Sequence, residues 1–419
     1  MRIAVSEKEI SLYEQEIQDA LQRLKKIAPP LEELNYFFQI VEKHFFLQQK
    51  SQKDVKIIAL GTNVPEELLR ASGADYYWML GGSPRTSAWT NDIVPRDADA
   101  VSRSMLGYLS SNIGAFSKGA LILIPAVSDN NRKLAYMLKQ AGYKVHTIDF
   151  PPVKDQWAEE KWFQQWESCR EILSAHIGRP ISSRALSRAS DRVSSNRAQV
   201  RRFLKMADGM KGLMPGTLRM FLLFSYFCAP DIGEWGLRLS ALVKKCRQKP
   251  SPVGLANAEN KGNILLMGSP VYFPNYKVPF LIEDAGMYIS AHIDCTTLEL
   301  TGTAFVKGAG RTPTARLASR FYQNDCSGAY VQNDALVDKV SRLIEKSPVD
   351  GVVYQVLKGQ IEPDFELERF EKLFEAYDLP VFRLETDYSG QDVEQLSIRL
   401  DAFMELLTQR RYRKGAKAI

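Results

Sequence analysis

Glu66 and Glu67 stand side by side directly after Pro65, where the pattern predicts that a helix begins. A carboxyl group with a raised pKa suits proton transfer, so this pair supplies the candidate catalytic acids and bases, placed at the mouth of a cleft. The plainer role for both is to complement the partial positive charge of a helix N-terminus. A second pattern is cationic. Arg184, Arg188 and Arg192 recur every four residues and Arg197, Arg201 and Arg202 follow, so several guanidinium groups fall along one side of a helix. The planar fork of arginine suits phosphate, and Arg201 is the candidate ligand contact. A solvated stripe balanced only by Asp191 is the simpler alternative.

Other chemistry is sparse. The histidines His44, His146, His176 and His292 stand apart, without a ligand neighbour at helical or hairpin spacing, so no metal site is expected. Cys169, Cys228, Cys246, Cys295 and Cys326 are odd in number, widely spaced and lack a Cys-x-x-Cys pair, which argues against a disulfide framework and for a reducing cytoplasm. The glycines Gly302, Gly308 and Gly310 lack the Lys and Ser/Thr continuation that cradles a nucleotide, so ATP use by this chain is not expected.

The elements that must position these groups are legible in the apolar pattern. Two helical stripes come first, over residues 7–26 and 31–49, followed by a polar break at Ser51-Gln52-Lys53-Asp54. Val55 to Leu60 reads as a buried strand, and Pro65, Glu66 and Glu67 open a helix that ends at Gly73. Ala120 to Pro125 is a second strand, Ser128-Asp129-Asn130 caps a helix that Gly142 closes, and Val145 to Phe150 is a third. Strands without alternation belong to a parallel sheet covered on both faces. Strand signals vanish between about residues 153 and 258. They return at Asn263 to Gly268, Met287 to Ile293, Gly351 to Leu357 and Leu379 to Thr386. The expected division is N-terminal helices over 1–52, a first α/β lobe over 53–152, a mainly helical region over 153–258 and a second α/β lobe over 259–419. Open parallel sheets bind ligands at their strand ends, which places a cleft between the two lobes.

With 419 residues, 45% apolar and 25% charged, the chain is an ordinary globular protein of more than one domain. Its +6 charge comes largely from Arg410, Arg411, Arg413, Lys414 and Lys417 and from the arginines between Arg184 and Arg202. No aromatic-interleaved motif accompanies these runs, so no nucleic-acid partner is expected. Residues 1–8 lack the apolar stretch of an export signal. The most apolar segment, Met220 to Cys228, is about half the length of a membrane span and reads as a buried helix.

Residues 350–405 carry four ordered blocks. They are Asp350-Gly351-Val352-Val353-Tyr354, Lys358-Gly359-Gln360-Ile361-Glu362-Pro363-Asp364-Phe365-Glu366, and Pro380-Val381-Phe382-Arg383-Leu384-Glu385-Thr386-Asp387-Tyr388. Gln395-Leu396-x-x-Arg399-Leu400-x-Ala402-Phe403-x-Glu405 follows. Together they resemble the C-terminal part of the family of 2-hydroxyacyl-CoA dehydratase and benzoyl-CoA reductase subunits. Val64-Pro65-Glu66-Glu67-Leu68, Ser102 to Gly107, Ser128-Asp129, Asn196 with Arg201, and Gly268-Ser269-Pro270 extend the likeness from about residue 55 onward. The resemblance implies two flavodoxin-like lobes with a helical part, usually assembled as a heterodimer.

In that family three cysteines from three β-to-α loops hold a 4Fe-4S cluster, because such clusters need soft, anionic thiolates. By the resemblance the first falls at or beside Asp99, the second at Ser128 and the third at Gln360, none of them a cysteine. Cys295 and Cys326 follow strand ends of the second lobe and could recruit a cluster elsewhere or one shared with a partner. A small buried hydrophobe is the commoner fate of such a residue. The implied function is a subunit of a complex that dehydrates a 2-hydroxyacyl-CoA or reduces an aromatic acyl-CoA. Its cluster would lie in a cysteine-bearing homologous partner, served by an ATP-dependent activator protein, and its substrate would be a CoA thioester. The alternative is a module that binds acyl-CoA and performs no redox chemistry.

Overall fold

The structure, a computed structural model, describes residues 3–46, 49–207, 214–248, 261–302, 312–324 and 328–416. Its apolar runs form two parallel four-stranded sheets. The first holds β1 (Ile57–Leu60), β2 (Tyr76–Met79), β3 (Leu121–Ala126) and β4 (Lys144–Asp149) in the order β2-β1-β3-β4. The second holds β5 (Asn263–Gly268), β6 (Tyr288–Ile293), β7 (Gly351–Leu357) and β8 (Val381–Thr386) in the order β6-β5-β7-β8. The two lobes therefore repeat one strand plan. The inner strands β1, β3 and β7 are buried along their whole length, as unbroken apolar runs require, while the edge strands β4 and β8 are only partly covered.

Helices α1 (Glu7–Ile27), α2 (Asn35–Phe45) and α3 (Gln49–Asp54) precede the first sheet. Ser6 caps α1, and Tyr13, Ile17, Leu21 and Leu24 form its buried stripe. The expected polar break at residues 51–54 is instead the helix α3. Its Gln52 is buried, with Nε2 donating to Tyr108 Oη at 3.1 Å and Oε1 accepting from the Ala115 amide at 2.7 Å. Tertiary partners override the local polarity there.

The first lobe also holds α4 (Glu66–Ser72), α5 (Pro84–Ala88), α6 (Ala100–Ser110) and α7 (Asp129–Gln140). Gly73 ends α4 at φ 62°, a conformation glycine adopts without the Cβ penalty. The helical region is α8 (Gln156–Ile177), α9 (Ser183–Ala207), α10 (Gly216–Cys228) and α11 (Ile232–Gln248). The second lobe adds α12 (Lys277–Asp284), α13 (Cys295–Thr301), α14 (Pro313–Asn324), α15 (Asp334–Lys346), α16 (Glu362–Ala376) and α17 (Val393–Ala416).

Helix α10 is buried on every face and joins the lobes. Phe227 packs against Trp78 of β2 with ring centroids 5.0 Å apart, and Phe224 packs against Phe273, ahead of α12, at 6.0 Å. This is the apolar segment around Met220 to Cys228. Being apolar all round, it is a core helix. No helix among the described residues is long and apolar enough to cross a membrane.

Candidate functional site

Both sheets turn the carboxyl ends of their strands toward a shared cavity of about 240 Å³. Loop ends and helices from both lobes and from the helical region line it, among them Asp99, Ser128, Arg197, Glu299, Arg320 and Gln360. The three positions at which the family resemblance places cluster ligands thus face one space.

Asp99 is the N-cap of α6 and is 4% exposed. Its oxygens accept from the amides of Val101 (3.1 Å) and Ser102 (2.9 Å), and from Ser102 Oγ (2.5 Å). Gln360, on the loop after β7, donates from Nε2 to Asp99 Oδ1 at 2.8 Å across the gap between lobes. Beside it Asn130 Nδ2 donates to the Gly359 carbonyl at 2.7 Å. Gly359 has φ +83° and packs so closely that a Cβ would lie 2.3 Å from the Asp99 nitrogen and 2.6 Å from the Ala98 carbonyl carbon. Only glycine fits there. Ser128 caps α7, its Oγ accepting from the Asn131 amide at 3.2 Å.

A carboxylate, a hydroxyl and an amide thus occupy the three positions, and the carboxylate is already engaged by a helix terminus and by Gln360. Iron–sulfur clusters require thiolates, so these residues do not fit one. Among the described residues no group of three or more His, Cys, Asp or Glu side chains could hold a metal ion.

Glu66 and Glu67 lie behind this junction, each 1% exposed, rather than at an open cleft mouth. Burial of charges requires partners, and the fold supplies them from distant segments. Glu66 Oε1 accepts from Arg70 Nε at 2.6 Å and from Tyr226 Oη at 2.5 Å. Glu67 pairs with Arg320 of α14. Arg197 of α9 pairs with Glu299 of α13 and lies 3.8 Å from both Glu66 and Glu67. Three carboxylates face three guanidiniums in a buried cluster joining the first lobe, the helical region and the second lobe. Burial alone would lower the Arg197 pKa, but Glu299 and Glu66 hold it above the ordinary value. Arg320 is pushed down to about 10 by burial, against the pull of Glu66.

The arginine stripe divides. Arg184, Arg188, Arg192 and Arg202 are exposed on the outer side of α9, whereas Arg197 and Arg201 turn inward. Arg201 is partly buried, and its Nη1 donates to the carbonyls of Gly302 (2.7 Å) and Thr301 (3.4 Å) at the cavity rim. Burial, then the like charge of Arg197, lowers its pKa.

Cys295 begins α13 and lines the cavity, with Sγ 2.9 Å from Tyr272 Oη. Burial pushes its thiol up to about 12, which keeps it protonated at neutral pH. Cys326, Gly308 and Gly310 lie outside the described residues. His44 is partly buried and stacks on Tyr77 at a 4.2 Å ring separation, and loss of solvation pushes it down to about 4. Burial also lowers His146. His292 lies 3.1 Å from Asp294, and its Nδ1 is 3.0 Å from Thr297 Oγ1.

Sequence reasoning missed Asp294, Glu299, Arg320 and Tyr226. Asp294 alone had a local signal, since an Asp-Cys-Thr-Thr stretch following a strand is an N-cap pattern. The others are defined by partners more than 100 residues away.

Residues 61–407 match the family described as 2-hydroxyglutaryl-CoA dehydratase, D-component. The chain is 23% identical over 367 residues to a protein named putative dehydratase subunit YjiM from Escherichia coli (strain K12), covering 86% of this chain and 94% of that one. It is 21% identical over 401 residues to the (R)-phenyllactyl-CoA dehydratase beta subunit of Clostridium sporogenes, covering 89% of this chain and 98% of that subunit. The fold, the convergence of the loop ends at Asp99, Ser128 and Gln360, and the match over residues 61–407 together show that the chain belongs to the 2-hydroxyglutaryl-CoA dehydratase D-component family.

Proposed function

We propose that this chain is a subunit of a 2-hydroxyacyl-CoA dehydratase-type complex that binds an acyl-CoA thioester in its cleft and carries no iron–sulfur cluster of its own. The observation that carries the reading is the hydrogen bond from Gln360 to Asp99 between positions where the family resemblance expects thiolates. The redox centre is then supplied by a homologous, cysteine-bearing partner, which an ATP-dependent activator would serve in a reducing cytoplasm. This chain's own residues hold and orient the thioester. Arg201, which donates to the Gly302 carbonyl at the cavity rim, has the fork geometry for a CoA phosphate.

Anaerobic reconstitution of the isolated chain with iron and sulfide tests the reading. The expected result is no stoichiometric iron and no visible absorbance, whereas co-purification from native expression brings down a homologue that does contain iron. A brown isolated chain with about four irons would refute the cluster-free assignment. A persistent monomer without a homologous partner would favour an acyl-CoA-binding module without redox chemistry. In either case Arg201→Ala should weaken binding of free CoA by about 1.5–3 kcal/mol, the cost of losing a charge-assisted hydrogen bond. Calorimetry with dephospho-CoA beside free CoA shows which phosphate is involved.

A further inference from the structure

We infer that the cavity accepts an acyl chain that is apolar and carries no second carboxylate, an inference that rests on the acyl-CoA reading above. Among its polar lining residues, apolar side chains reach the cavity from both sides: Val101, Met105 and Val127 come from the first lobe, while Ile293, Leu298 and Phe321 come from the second. An apolar cavity of about 150 Å³ already holds a benzene molecule. At about 240 Å³ this one has room for an aromatic or branched aliphatic end.

The charges decide what else can enter. Among the described residues the lining cations are Arg197 and Arg320, and both are already paired, Arg197 with Glu299 and Arg320 with Glu67. The other charged lining residues are acids: Asp99, Asp294, Glu362 and Glu366. Asp99 and Asp294 are engaged as helix caps. Glu362 and Glu366 lie one turn apart on α16, and burial raises both of their pKa values. Among the described lining residues an incoming carboxylate would have to displace a glutamate from a buried arginine or sit unpaired beside acids, and both are costly. An apolar chain meets neither penalty. Selection against the charged acyl group is thus built into the counter-charges rather than into shape alone.

Binding of two thioesters of similar size to the full-length protein, prepared by native expression, tests the inference by calorimetry, with free CoA as reference. One is 4-methyl-2-hydroxypentanoyl-CoA, which ends in an isopropyl group, and the other is 2-hydroxyglutaryl-CoA, which ends in a carboxylate. The branched thioester should bind at least about tenfold more tightly than the carboxylate-bearing one. Glu299→Gln removes the nearest counter-charge of Arg197 and should move the ratio of the two affinities at least about tenfold toward the carboxylate. Should that variant fold poorly, Leu298→Trp fills the apolar wall and should bring the branched thioester down toward free CoA. Equal or tighter binding of 2-hydroxyglutaryl-CoA to the native protein overturns the inference. So does an unchanged preference in both variants. If no CoA compound binds, free CoA included, the acyl-CoA reading itself fails and takes this inference with it.

Discussion

The two sheets share a strand order, which makes Asp99 and Asp294 counterparts: each follows the second strand of its sheet, caps a helix and is nearly inaccessible, at 4% and 3% exposure. Their remaining partners differ. Asp294 accepts from the Thr297 amide (2.9 Å), Thr297 Oγ1 (3.0 Å) and the Val271 amide (3.2 Å), with His292 beside it, all within its own lobe. Asp99 satisfies its helix in the same manner and then accepts Gln360 from the opposite lobe. The same capping device is local in one lobe and ties the two lobes together in the other. A carboxylate has more acceptor sites than a helix terminus uses, so a loop from across the cleft can claim what is left.

The sharpest way to break the tie is Gly359→Ala. The added Cβ would meet the backbone of Asp97 to Asp99, at a φ of +83° that disfavours side chains. Strain and overpacking together predict a loss of about 3 kcal/mol, read as a fall in the denaturation midpoint. If Gly359→Ala is as stable as the native chain, the lobes are not held at this point.

Asp294 should come next. Asp294→Ala removes an N-cap and leaves buried donors unpaired, for about 2–3 kcal/mol. Its pH behaviour has a definite sign. Burial alone would raise the Asp294 pKa, but His292 and the amides of Thr297 and Val271 hold it below the ordinary 3.8. A carboxyl with a depressed folded-state pKa contributes stability above its unfolded value and loses it as pH falls through the folded value. The stability advantage of the native chain over Asp294→Asn should therefore shrink as pH falls below about 4. A gap that widens under acid would mean that His292 and the helix cap do not stabilise the carboxylate.

The sheets were legible because their strands are continuous apolar runs. Asn263–Gly268 and Gly351–Leu357 end where the residue pattern predicts. The strand Tyr76–Met79 escaped because four residues between Gly73 and Gly81 carry too little pattern to separate from a loop. The capping role of Ser128 was local and readable. That of Asp99 was not, because Pro95 and a run of polar residues hide the start of α6. The acid pair Glu66 and Glu67 could be placed at a helix start, but not inside a cluster whose cations, Arg197 and Arg320, come from 130 and 253 residues further on. Pairing of buried charges is a tertiary property with no periodic signature.

The smallest effect on stability belongs to Gln360, and it discriminates most finely between a local cap and a tie. Gln360→Ala deletes one hydrogen bond at a partly exposed position, so the expected loss is about 1 kcal/mol. The helix caps remain intact, so α6 itself should stay protected. What should change is the loop after β7 and the segment around Asp97 to Asp99, whose amides would exchange faster with solvent as the lobes part locally. Gln360→Glu sharpens the test, because it sets a second carboxylate against Asp99 where an amide now donates at 2.8 Å. Repulsion should make exchange at both loops faster than in Gln360→Ala at neutral pH, and protonation below about pH 4 should bring the two variants together. If both variants exchange as the native chain does, the contact between Gln360 and Asp99 is incidental, and the shape of Gly359 alone holds the lobes together.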